Sequence, residues 1–92
     1  MADRPYRVDL APGAARQLRK LGPEIQRPLV RGLHALETDP RPPGVKRLER
    51  VRGTPLWRIR IGDYRIIYEI HEDRLLVLVV RLGHRGEVYR VR

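Results

Sequence analysis

One stretch constrains this chain more than any other: Leu56-Trp-Arg-Ile-Arg-Ile61, then Gly62-Asp63, then Tyr64-Arg-Ile-Ile-Tyr-Glu-Ile70. Both arms are rich in strand formers and alternate in character, and glycine at the first of two central positions fits a type II′ hairpin. A two-residue turn fixes the register, because a slip of one residue would send every side chain to the opposite face. Trp57 is therefore predicted opposite Tyr68, Ile59 opposite Ile66, and Ile61 opposite Tyr64, on a face suited to burial. The other face sets Arg58 against Ile67 and Arg60 against Arg65. Like charges directly opposite one another destabilise a hairpin by some tenths of a kcal/mol. The Arg60–Arg65 pair thus calls for a nearby acid or an anionic ligand, and Glu69 is the acid in phase on that face.

The remaining elements follow from spacing. Leu75–Leu82 reads as a third strand, apolar on both faces and so interior to a sheet. A two-residue turn before it would point Arg81 into the core, where an unpaired guanidinium is costly. A three-residue loop, Glu72-Asp73-Arg74, instead sets Arg81 opposite Arg65. The predicted result is an open sheet face carrying Arg58, Arg60, Arg65 and Arg81, with Arg85 following. Upstream, Tyr6–Leu10 alternates as a short strand. Ala15, Leu18 and Leu21 mark a helix over 13–21, stopped at Gly22. Pro23 suits the first position of a second helix, whose face is Ile25, Leu29, Leu33 and Leu36 and which ends before Pro40. Pro28 is tolerated in a first turn and costs about 3 kcal/mol or a kink one turn deeper. Residues 39–55 read as a long loop, rich in proline and in positive charge (Lys46, Arg47, Arg50), of a length that is usually functional or mobile. Glu87–Val91 is a short last element. The predicted order βααβββ is an α+β fold: one domain over residues 1–92, an antiparallel twisted β-sheet with an antiparallel helix pair on one face.

Composition narrows the function classes. Twenty Lys and Arg against 11 Asp and Glu give a net charge of +9, which attracts polyanions such as nucleic acid, or an acidic protein. All but two of the cations, Lys20 and Lys46, are arginine. The chain has no cysteine, hence no disulfide, thiolate metal site or cysteine nucleophile, and it has no serine. No glycine-rich phosphate loop follows a strand, and His34, His71 and His84 are scattered. No metal and no cofactor is implied. Met1 is followed by no apolar segment, so no secretory signal is expected, and a cytoplasmic place is the expectation.

What the residues permit is phosphate chemistry. Guanidinium forks bind phosphate bidentately. Cleavage of RNA by its own 2′-OH needs a group to take the 2′ proton, positive charge on the phosphoryl oxygens, and a donor for the leaving 5′-oxygen. Arginine supplies the second and is a poor base, since it stays protonated.

The hairpin Leu56–Ile70, the stretch Leu21-Gly-Pro-Glu-Ile-Gln-Arg-Pro-Leu29, the Lys46-Arg-Leu48 segment and the ending Leu82-Gly-His-Arg-Gly-Glu-Val-Tyr89 together resemble the RelE/ParE toxin superfamily. The resemblance spans Tyr6 to Tyr89. It implies the toxin of a type II toxin–antitoxin system, a ribosome-dependent mRNA endoribonuclease (mRNA interferase) cleaving by 2′-OH attack. An acidic cognate antitoxin would hold it inactive, and operator DNA would be met only through the toxin–antitoxin complex. Ribosome and mRNA are the other implied partners, with no membrane. By position in the motif, Arg65 matches the phosphate-clamping arginine, Arg85 the arginine assisting the leaving group, and Tyr89 the tyrosine that stacks on a base or orients the 2′-OH. Arg58 and Arg60 take the two basic positions of the preceding strand. In the RelE type these are lysines, one a proposed base, so the base is unassigned here. Some relatives use a histidine and a glutamate, for which His84 and Glu87 are the candidates. The expected catalytic set is Arg58, Arg60, Arg65, Arg85 and Tyr89, with RNA bound by Lys46, Arg47, Arg50, Arg81 and His84. Two other readings remain: a ParE-like non-enzymatic poison of DNA gyrase, and an inactive nucleic-acid-binding homologue.

Overall fold

The computed structural model describes residues 5–51 and 53–84, without the side chains of 49–51. Its elements are β1 (Arg7–Leu10), α1 (Pro12–Arg19), α2 (Pro23–Ala35), β2 (Lys46–Val51), β3 (Thr54–Ile61), β4 (Tyr64–His71) and β5 (Leu76–His84). The sequence pattern anticipated β3 and β4 pair for pair: Trp57 lies opposite Tyr68, Arg58 opposite Ile67, Ile59 opposite Ile66, Arg60 opposite Arg65 and Ile61 opposite Tyr64. Gly62 supplies the left-handed first turn position at φ +60°, which a type II′ turn demands and a side chain resists.

The sheet has five strands in the order β1-β5-β4-β3-β2, and here the expectation needs two corrections. Residues 39–55 are not all loop, because Lys46–Val51 forms the edge strand β2 against β3. Its apolar residues, Leu48 and Val51, stand three apart rather than two, and the ladder shifts between them. A charged, irregular strand is a common form of sheet edge, since it resists pairing with another chain. The second correction follows from the first by parity. With three strands after the helices, β1 would run antiparallel to its neighbour. With four, the last strand runs the other way, and β1 pairs parallel with β5. The sheet is mixed, and the class remains α+β.

Both helices cover one face. α1 lies against β5 and β1, and α2 against β3. Ala14, Leu29, Leu33 and Leu36 meet Ile59, Ile66, Tyr68, Val77, Val79 and Leu82 in one buried cluster. α2 comes so close to β3 that a Cβ on Gly32 would collide with the Ile61 side chain. The joint between the helices is secured by Gln26, whose Nε2 donates to the carbonyls of Leu18 (3.0 Å) and Leu21 (2.8 Å). Both carbonyls lie where α1 runs out of helical partners, and that of Leu18 also accepts the Leu21 N–H at 3.2 Å. Pro28 stands within α2, and the helix continues to Ala35.

The segment between α2 and β2 is pinned at two points. Tyr68, fully buried, donates its hydroxyl to the Pro40 carbonyl at 2.7 Å. Burial pushes this phenol well above the ordinary tyrosine pKa, so it remains a donor throughout the neutral range. Next to it, Arg41 lies over the Trp57 ring at 4.8 Å and pairs with Glu72 at 2.8 Å.

Candidate nucleic-acid interface

Strand alternation assigns the polar face. Lys46 stands opposite Arg58 on the neighbouring strand, and Arg60 opposite Arg65. Across β4, Gly83 faces Arg65 and Arg81 faces Ile67. Arg81 therefore joins the arginine face, one pair away from the place opposite Arg65 that a three-residue loop had given it. The chain achieves this by a different device. The β4–β5 loop has four residues, Glu72 to Leu75, with Leu75 at φ +51°. Carried up the strand unchanged, that register would turn Arg81 into the core and Leu82 out. A bulge at Val80 shifts the ladder by one residue, so Arg81 faces out and Leu82 is buried at 1 % exposure. Bulges re-aim side chains in this way.

The face is less open than alternation alone suggested. Lys46, Arg60 and Arg81 are exposed and Arg65 is half-buried, whereas Arg58 keeps only 5 % of its surface. Among the described residues no carboxylate lies within ion-pairing distance of Lys46, Arg60 or Arg81. Glu69, the acid in phase with the arginines, is engaged by His71, Nε2 to Oε1 at 2.8 Å. The parallel pairing of β1 brings in a second acid, Asp9, which sits beside Leu78 and bonds Arg7 at 3.3 Å. Neither acid lies within ion-pairing distance of Lys46, Arg60 or Arg81. An open groove of about 530 Å³ runs along β3 beyond the start of β2, lined by Lys46, Arg58 and Arg60 together with Gly32, Ala35 and the Pro42-Pro43-Gly44 bend. Three of the expected cations thus share one groove.

Two expected members lie elsewhere. Arg47 pairs with Trp57 on the helix-covered side, its guanidinium 5.9 Å from the ring. His84 faces Tyr64 edge-on at 5.6 Å on that same side. The Arg50 side chain, Arg85, Glu87, Tyr89 and the element at Glu87–Val91 lie outside the described residues. The sequence reading did not find the Glu69–His71 pair. Its signal was an i, i+2 spacing on one strand, which places two side chains on one face.

Chemically, the face offers clustered positive charge and forked donors beside a groove. Guanidinium groups hold their proton, so they can bind and stabilise a phosphoryl group but cannot take a proton from a nucleophile. Among the described residues no group of His, Asp and Glu is placed to hold a metal ion.

A small mixed sheet with two helices on one face and an arginine cluster on the other defines a class of compact, cationic α+β proteins. The family can be named more closely. The model of the ParE toxin of the type II toxin–antitoxin system parDE matches residues 8–89. Toxin RelG of Mycobacterium tuberculosis is 32% identical over 87 residues, covering 94% of this chain and 98% of RelG. The mRNA interferase toxin RelE of Escherichia coli is 29% identical, covering 91% of this chain and 90% of that protein. Among solved structures, the archaeal RelE–RelB complex from Pyrococcus horikoshii superposes with a TM-score of 0.77 at 29% identity, covering 90% of this chain and 98% of that one. The toxin–antitoxin complex RelBE2 of M. tuberculosis gives 0.76 at 31%, covering 90% and 94%. This chain belongs to the RelE/ParE toxin superfamily of type II toxin–antitoxin systems.

Proposed function

We propose that this chain is the toxin of such a pair, and that it acts as a ribosome-dependent mRNA endoribonuclease cleaving by 2′-OH attack. The observation that carries this reading is the cluster of Lys46, Arg58, Arg60, Arg65 and Arg81 on the sheet face away from the helices, beside a groove. A gyrase-directed protein that does no phosphoryl chemistry has no need of that cluster. Relatives of similar length carry the name mRNA interferase. Arg65 and Arg60 clamp the scissile phosphate and stabilise the charge that builds on its oxygens. Arg58, nearly buried and placed opposite Lys46 and Ile67, lines the groove beside Lys46 and Arg60. Arg85 assists the leaving 5′-oxygen by stabilising its charge, and Tyr89 orients the 2′-OH or stacks on a base. Guanidinium groups take no proton from a nucleophile, so positioning and charge carry most of the rate.

The partner is a cognate antitoxin with an acidic segment that covers the cationic face. Structures of RelE relatives in complex with RelB support an antitoxin partner. No helix among the described residues is long and apolar enough to cross a membrane, and we place the protein in the cytoplasm. The match to the ParE family model keeps gyrase poisoning as the second reading. Induced expression in bacteria separates the two. Growth arrest with cuts inside translated codons, lost in Arg65→Ala, is the expected outcome. Arrest with intact mRNA and gyrase-dependent DNA damage would overturn it.

A further inference from the structure

A second cluster of cations lies around the margin of the sheet. β1 ends opposite Val79, so the upper part of β5 has α1 beside it instead of a strand. There, at the bulge, Gly13, Arg16, Gln17, Lys20, Val80 and Arg81 line a pocket of about 210 Å³. The Arg16 guanidinium folds back over Gly13, 3.9 Å from where a Cβ would stand. Arg16, Lys20 and Arg81 are all exposed. Among the described residues none of the three has a carboxylate within ion-pairing distance, and no acid lines the pocket. Three like charges around one concavity repel one another, and an anion bound among them relieves the repulsion. Gln17 adds an amide donor that suits an oxyanion. Arg81 belongs both to this pocket and to the arginine face, since the Val80 bulge aims it outward at the point where the two meet.

We propose that this pocket is a phosphodiester-binding subsite, which takes a backbone phosphate of RNA and extends the cationic face around the edge of β5 onto α1. The proposal rests on the RNA-cleaving reading and adds a site that the reaction itself does not need. The subsite acts on binding: it holds the polynucleotide and leaves the reacting phosphate to Arg65 and its neighbours.

The test compares two double variants that remove the same charge. Arg16→Ala/Lys20→Ala empties the pocket of two cations. Arg27→Ala/Arg31→Ala removes two exposed cations from α2, away from the pocket. Affinity for a 2′-O-methyl RNA oligonucleotide, which cannot be cut by 2′-OH attack, is measured across a range of salt. Melting curves confirm that both variants fold. Emptying the pocket is expected to weaken binding about tenfold at low salt and to flatten the log–log salt slope by roughly 0.7 to 1.4, the share of one or two single-strand phosphate contacts. The α2 variant is expected to change both much less. With saturating message, the pocket variant cuts at the wild-type maximal rate and only its half-saturating concentration rises. Equal effects from the two variants would overturn the proposal by reducing the pocket to net charge. Unchanged RNA binding with weakened antitoxin binding would overturn it by making the pocket a protein-docking surface. If the wild type neither binds nor cuts RNA, the functional reading fails instead, which a change confined to the pocket variant cannot mimic.

Discussion

Arg65 and Ile66 are adjacent on one strand and live in different worlds. Ile66 points into the helix-covered core and is fully buried, opposite Ile59 and Leu82. Arg65 points the other way, opposite Arg60 and beside the cationic cluster. The first face gains from apolar burial and tolerates no charge. The second gathers charges whose mutual repulsion lowers stability in the absence of a ligand. A single strand thus separates what holds the molecule together from what it offers to a partner, and adjacent substitutions should separate the two experimentally.

The largest effect is expected from Arg65→Ala. Loss of one preorganised phosphate-binding group should slow cleavage roughly 100- to 1000-fold while thermal melting stays cooperative, as single-turnover kinetics and calorimetry would show. Ile66→Ala should do the reverse. It opens a cavity in the core and should cost about 2–5 kcal/mol of stability, measured by urea unfolding, with normal cleavage by the fraction that remains folded. If the two substitutions gave the same phenotype, the division of labour between the faces would be wrong.

Tyr68→Phe tests how the segment after α2 is held. It strands the buried Pro40 carbonyl and should cost about 1–3 kcal/mol, with faster amide exchange at the backbone N–H of Arg41 and of Val45. It carries a pH signature as well. Burial raises the Tyr68 pKa in the folded state, so the folded protein keeps this proton where the unfolded chain has begun to lose it. The contribution is whole below the ordinary phenol value, near 10, and is lost as pH rises above it. Wild-type stability should therefore fall above about pH 10 more steeply than that of Tyr68→Phe in parallel melts. The smallest effect belongs to Gly62→Ala, which forces a side chain into φ +60° and should cost about 1 kcal/mol without altering the cleavage pattern.

How much of this the sequence announced depends on how local the rule was. The β3–β4 register was legible because Gly62-Asp63 fixes it and the alternation agrees on both arms. Strand β2 was not, because an edge strand with a shifted ladder need not alternate, and Leu48 and Val51 stand three residues apart. Missing it also hid the parallel pairing of β1, and with it Asp9 on the arginine face. Arg81 is the instructive intermediate. The cost of burying a guanidinium rightly placed it outward, but a bulge at Val80 does the work that a loop length was expected to do. Arg47 and His84 were assigned by composition and motif, and alternation then sends both to the helix side. Arg85 and Tyr89 rest on the motif alone, as do their proposed roles.

The central claim is that the arginine face cuts translated RNA through the message's own 2′-OH, and product ends test it most directly. Purified protein is added to ribosomes translating a defined message, and the new ends are mapped and their chemistry identified. The account predicts cuts within codons leaving 2′,3′-cyclic phosphates and free 5′-hydroxyls, absent without ribosomes and lost in Arg65→Ala. An intact message under the same conditions, with Arg65→Ala as toxic to cells as the wild type, would contradict it.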